Sequence, residues 1–255
     1  GGDEAADPIP MNAESLKKVS LQAFIAIYLA FGIYTELGLM DFLPLPKYFL
    51  ADYFIYERAA NDAVLGQDPY LDKNIGTAFV YPPPSILFFE AFSQIEARTV
   101  KIAVFAAVNI AMLVYMVYGT IRHYKLTHSS AWFLYPLALG YAPFLELLHV
   151  GQVNQFVEFG LFLTFVYSTQ MPWLAGFGLG WAAMLKVTPL VFAGYLFLTK
   201  RWKALAFTVG TILLFTLLAW LRYGPAPFFN YVDAFRSILG QFPDWMESHS
   251  LFAKI

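Results

Sequence analysis

The sequence predicts an all-α integral membrane protein: a multispanning helical bundle with an outward-facing amphipathic helix after the first span. Three observations predict it. Hydrophobic residues make up 59% of the 255 and charged residues only 13%, about half the charge of an ordinary soluble domain. The apolar residues fall in runs that approach the roughly 20 residues a helix needs to cross a bilayer. Many of the Phe, Tyr and Trp residues flank those runs, where an interfacial aromatic belt lies. Residues 1–255 read as one transmembrane domain, with no soluble domain and no evident internal repeat.

Residues 1–18 are polar, and Met11 is a candidate native start with expression-derived residues before it. Lys17 and Lys18 precede the first apolar stretch, 20–40, and set its start in the cytoplasm. Residues 41–79 then form an extracytoplasmic loop. Within it, 48–65 has helical composition, and Gly66 and Pro69 follow in the usual order of a helix stop. Phe49, Tyr53, Tyr56 and Ala60 would share one face, with Arg58 and Asp62 elsewhere, as in a helix lying on the membrane surface.

Pro82, Pro83 and Pro84 break the chain before the short apolar segment 85–94. A polar step at Glu96, Arg98 and Lys101 leads into a clear span, 100–121, which ends in Arg122, His123, Tyr124 and Lys125. Further apolar stretches run over 131–148, 156–167, 173–198 and 204–221. Lys186-Val187-Thr188-Pro189 interrupts the third of these and marks a candidate broken helix; irregular backbone at that depth needs cover from protein or a water-filled cavity. Lys200, Arg201 and Lys203 form the strongest basic cluster and are expected in the cytoplasm. If every stretch crosses once, Arg122 to Lys125 falls outside, against that rule. Either 85–94 re-enters without crossing, or the rule is broken there. After Tyr223 the sequence reads as a polar tail with Asp244, Trp245, Glu247 and His249, and the expectation is one part of a longer protein.

The same sequence excludes several kinds of chemistry. A net charge of −2 offers no basic stripe for nucleic acid. Without cysteine there are no disulfides, thiolate metal sites or cysteine nucleophile. No phosphate-cradling glycine loop and no His-Glu-x-x-His pattern occurs. The four histidines are scattered, so no metal site is expected. No cofactor is implied, and a divalent cation held by carboxylates is not indicated.

Polar residues in apolar surroundings are the candidate site. Asp52 leads, because a carboxylate on a helix at the membrane surface can take a proton from a sugar hydroxyl; Glu57, Arg58 and Asp62 accompany it. His149, Gln152 and Asn154 form a second group, in His149-Val150-Gly151-Gln152-Val153-Asn154-Gln155. Glu146, His149 and Gln152 are three apart and would stack on one helical face, while Gly151 allows a turn or a close backbone approach. Lys186 either snorkels to an interface or meets a phosphate head group. Glu36 and Glu90 are intramembrane carboxylates that serve function or pair with a neighbouring helix.

Five landmarks then resemble glycosyltransferase family 87. They are Asp52-Tyr53-Phe54-Ile55-Tyr56 with Ala59-Ala60, Gly66-Gln67-Asp68-Pro69-Tyr70, Tyr81-Pro82-Pro83, Gly151-Gln152-Val153-Asn154, and the segment from Gly180-Trp181 to Thr188-Pro189. The turn Lys200-Arg201-Trp202-Lys203 sits where that family usually has a basic one. The resemblance implies a GT-C-type helical enzyme, a hexosyltransferase using a polyprenyl-phosphate sugar, with mannose the family expectation. The acceptor would be a glycolipid or glycan, and the site would face away from the cytoplasm, as suits a bacterial inner membrane. It also implies Asp52 as general base. Tyr56, Arg58, Tyr81, His149, Gln152, Asn154 and Lys186 are the candidate donor- and acceptor-binding residues, with Lys186 or Arg58 steadying the departing phosphate and the amides orienting sugar hydroxyls. Family members are usually longer. A glycolipid or polyprenyl-lipid transporter or flippase is an alternative, although no symmetry between halves supports it, and so is a noncatalytic membrane subunit.

Overall fold

In the computed structural model, residues 50–74, 76–126, 131 and 133–249 are described, with side chains through 239. The apolar stretch 20–40, with Lys17, Lys18 and Glu36, lies outside the described residues, as do Phe49 and the side chains of Asp244, Trp245, Glu247 and His249. In chain order the helices are α1 (Ala51–Val64), α2 (Ser85–Ser93), α3 (Arg98–His123), α4 (Leu134–Leu139), α5 (Ala142–Val150), α6 (Asn154–Tyr167), α7 (Pro172–Leu185), α8 (Phe192–Leu198), α9 (Trp202–Tyr223) and α10 (Ala226–His249). No strand occurs among the described residues.

Helix α1 begins after Leu50, which is left-handed at φ 57°. It stops at Gly66 (φ 72°), where the Gln67 N–H closes on the Asp62 carbonyl at 2.8 Å, satisfying an end that would otherwise lack partners. Its buried residues Tyr53, Tyr56, Ala59, Ala60 and Ala63 lie on one face. That face meets protein, a correction to the expectation that it rests on the membrane surface. Tyr56 stacks on Phe89 of α2 with centroids 4.4 Å apart, and Tyr53 meets Phe105 of α3 edge-on at 5.2 Å. Neighbouring rings bury both tyrosines, and Tyr81 also gives the Tyr56 hydroxyl a polar partner.

Among the described residues, two helices, α3 with 26 residues and α9 with 22, are long and apolar enough to cross a membrane, being about 39 and 33 Å long. Val104, Ile110 and Val114 on α3 and Leu213, Leu214, Leu217 and Leu221 on α9 point outward, exposed. A core helix of a soluble protein would bury such residues.

The direction of each helix follows from its contacts. Phe105 of α3 lies 5.8 Å from Phe156 of α6, and the Tyr115 and Tyr167 hydroxyls are 3.0 Å apart, so these two run parallel. Helix α7 returns antiparallel to α6, with the Thr164 hydroxyl donating to the Ala175 carbonyl at 3.1 Å. Helices α7 and α9 are parallel, Gly176 lying beside Ala204 and Gly180 beside Thr211. The starts of α3 and α6 and the ends of α7 and α9 therefore gather at one end of the bundle. Arg122–Lys125 and Lys200–Lys203 share the other.

Helix α2 is too short to be a span. It has nine residues, about 13 Å, and cannot cross about 30 Å of hydrocarbon. Its Glu90 accepts from Arg222 Nη2 at 2.7 Å and from the Tyr223 hydroxyl, both at the end of α9. This pairing also settles Glu90 as a partner of a neighbouring helix.

Three segments depart from expectation. The stretch 131–148 divides at Gly140 and Tyr141 into α4 and α5, because Pro143 lacks the N–H to continue a helix but suits the first turn of a new one. The stretch 173–198 breaks at Lys186, which is extended (φ −139°, ψ 140°), and resumes through a 3₁₀ turn, Thr188–Val191, into α8. The expected polar tail is helix α10. Its Tyr231 packs on Tyr70 at 5.5 Å, and Ala234 and Ile238 are buried at helical spacing, a period diluted by the polar residues between them.

The tightest packing is at α7. A Cβ on Gly160 would lie 2.5 Å from the Gly178 carbonyl oxygen, and one on Gly176 2.4 Å from the Ala204 carbonyl. Small residues here let three backbones approach. Gly160→Ala is expected to lower stability by about 1–3 kcal/mol, seen as a lower unfolding temperature in detergent. Gly210→Ala, where the space around the glycine is open, should lower it not at all.

Candidate functional site

Gly151 brings two parts of the site together. It ends α5 in the left-handed conformation (φ 76°), and a Cβ there would sit 2.8 Å from Tyr53 Cβ and 3.3 Å from Leu50 Cα. Only glycine serves both demands. The turn is pinned by the Leu50 N–H donating to the His149 carbonyl at 2.8 Å. The segment Gly151-Gln152-Val153-Asn154 thus lies against the first turn of α1, which carries Asp52. The helical stack of Glu146, His149 and Gln152 is not formed: Gly151 turns the chain before Gln152, leaving Glu146 exposed and His149 buried.

Four of the sequence-predicted residues form one polar line. Lys186 Nζ donates to Asn154 Oδ1 at 2.5 Å, and Asn154 Nδ2 donates to Gln152 Oε1 at 2.5 Å. The Gln152 side chain, with the Lys186 charge, favours the ionised form of the Asp52 carboxylate. The break after α7 is what lets Lys186 reach the start of α6. Its ammonium also lies 5.6 Å from the centre of the Tyr81 ring, a cation–π distance.

Tyr81 and Tyr56 close the site behind Asp52. Their hydroxyls are 2.8 Å apart, and both feel the Asp52 charge. Tyr81 is held by its carbonyl, which accepts from the Tyr70 hydroxyl at 2.8 Å. The prolines after it close a turn in which the Ser85 N–H and hydroxyl both donate to the Pro82 carbonyl, at 2.9 and 2.7 Å. Burial holds the Asp52 carboxyl above the usual carboxylate range, opposed by the Gln152 side chain and the Lys186 charge. A half-buried carboxylate of this kind is a better proton acceptor than an ordinary aspartate.

Arg58 is not brought to this cluster. It braces the loop, donating to the Thr77 carbonyl at 2.7 Å and meeting Asp72 at 3.4 Å. His149 contributes its backbone to the α1 start. Glu57 pairs with Lys101 of α3, and Asp62 lies farther along α1. Glu158, on α6 four residues beyond Asn154, interacts electrostatically with Lys186. The Asn154-x-x-x-Glu158 spacing carried that signal, since residues four apart share a helix face. Among the described residues, no cluster of three or more metal-ligating side chains occurs.

The family model of glycosyltransferase family 87 matches residues 79–254, more than two thirds of the chain. The chain belongs to glycosyltransferase family 87. No curated protein and no solved structure matches it. Family 87 membership makes this chain a glycosyltransferase, and the matched region holds Tyr81, Gln152, Asn154 and Lys186. Asp52 precedes that region, and geometry alone joins it to the matched residues.

Gly151→Ala is expected to lower the unfolding temperature more than Gly66→Ala. Both glycines are left-handed, but a Cβ meets nothing within 4 Å at Gly66, so only backbone strain of about 1 kcal/mol is added there.

Proposed function

We propose that the chain transfers a hexose, mannose by family expectation, from a polyprenyl-phosphate donor to a glycolipid or glycan acceptor, with Asp52 as general base. The observation that carries this reading is the Asp52 carboxylate, half-buried and tied to Lys186 through two amides. In the reaction, an acceptor hydroxyl oxygen attacks the anomeric carbon as its proton passes to Asp52. The bond from that carbon to the phosphate oxygen breaks, its electron pair leaves with the polyprenyl phosphate, and the configuration inverts. Hydrogen-bond reach between base and hydroxyl is the geometric demand.

Membrane orientation follows from charge. With the two basic turns cytoplasmic, the Asp52 end faces outward, as suits a lipid-linked donor in a bacterial inner membrane. The outward apolar faces of α3 and α9 support embedding in a bilayer.

The test is sugar transfer from radiolabelled polyprenyl-phosphate mannose to membrane glycolipids. Asp52→Asn should abolish transfer while leaving the unfolding temperature intact, and equal transfer by both proteins would remove Asp52 from the mechanism. A base works when deprotonated, so activity should rise with pH through the Asp52 pKa. The acid limb of kcat/KM is therefore expected above the ordinary aspartate range.

A further inference from the structure

The line from Lys186 to Asp52 has a single polarity. Asn154 accepts from the ammonium and donates onward to Gln152, whose carbonyl is thereby engaged and whose NH₂ group is left for the carboxylate that it helps to keep ionised. A side-chain amide offers one carbonyl and one NH₂ group. Flipping Asn154 would set its NH₂ against an ammonium, and flipping Gln152 would set a carbonyl against a carboxylate. The two ends thus dictate both amide orientations, and the carbonyl of each amide is already engaged within the line.

We propose that Lys186, Asn154 and Gln152 are positioning residues that act through this hydrogen-bonded line to orient the Asp52 carboxylate and stabilise its ionised form, rather than ligands of sugar hydroxyls or of the departing phosphate. The mechanistic part of this inference rests on the reading of Asp52 as the base. The two carboxylate oxygens offer acceptor sites both for the Gln152 NH₂ group and for a hydroxyl proton. Lys186 supplies the positive end, and the amides carry its polarisation across a distance that a direct ion pair would close. The charge can tell at that range because the site is partly screened from water.

Other groups around the pair complete its electrostatics. Tyr56 on α1 and Tyr81 after the loop face Asp52, and Glu158 on α6 faces Lys186. Glu158 competes with Asp52 for the same ammonium. The amides lead from Lys186 toward Asp52, whereas among the described residues no hydrogen bond joins Glu158 to Lys186 or to the amides.

The test uses the full chain in lipid nanodiscs with two independent readouts. Infrared titration follows the protonated Asp52 carboxyl band, identified by its loss in Asp52→Asn. Transfer kinetics with polyprenyl-phosphate mannose give the acid limb of kcat/KM and the donor KM. Lys186→Met and Asn154→Ala should each raise the infrared midpoint by about one pH unit, a tenfold change in ionisation. The acid limb should move up with it and the donor KM change less than about twofold, as expected for a group acting only through the base. The double variant should add little to either single one, because both interrupt the same line. A donor KM raised tenfold by Lys186→Met with an unmoved infrared midpoint would overturn the inference and make Lys186 a phosphate ligand. If Asp52→Asn still transfers sugar while Lys186→Met shifts the infrared midpoint, the relay stands and the reading of Asp52 as base fails.

Discussion

An ammonium in an apolar bundle has to find acceptors, and the site is arranged around that demand. Lys186 follows Ala182, Ala183, Met184 and Leu185, all buried. Continuing α7 through it would carry its charge along that packed face. The helix instead ends, Lys186 becomes extended, and its side chain turns to Asn154 at the start of α6. Stranding a desolvated charge costs several kcal/mol, more than the helical turn given up at Lys186.

For that contact to exist, α6 and α7 must lie close together. Gly160 and Gly178 oppose each other with no room for a Cβ on either. Glycine in a helix costs about 1 kcal/mol of intrinsic preference, offset here by backbone contact on both sides of α7. The same logic applies at Gly151, where a left-handed turn under α1 carries Gln152 to Asp52. Two kinds of glycine, one used for close packing and one for positive φ, therefore set the distance between Asp52 and its distant cation.

Some of this was legible in the sequence. The apolar runs marked α3 and α9 because a long helix with lipid-facing residues needs little tertiary information. Gly66 and Pro69 announced the end of α1, and the Lys186-to-Pro189 interruption announced a broken helix. The close contact at Gly176-x-x-x-Gly180 was not legible from hydropathy, which passes over small residues. Helix α10 was hidden because its buried positions are few and its polar face wide. The face of α1 was legible, but not what covers it: membrane and protein ask for the same apolar stripe.

By itself, the sequence determined the helical class, the lack of cysteine chemistry, the family landmarks and the residue types at the site. Those follow from local composition and spacing, which every residue carries with it. Tertiary structure decided that Asp52, Gln152, Asn154 and Lys186 join in one line while Arg58 braces a loop 14 residues from its partner Asp72. It also brought the two basic turns to one end, because the stretch 173–198 breaks at Lys186 and the chain from there to Lys200 runs back alongside α7 before α9 begins. The hydrogen bond from Lys186 to Asn154, 32 residues away, depends on how α6 and α7 close on their glycines, and no local pattern encodes that distance.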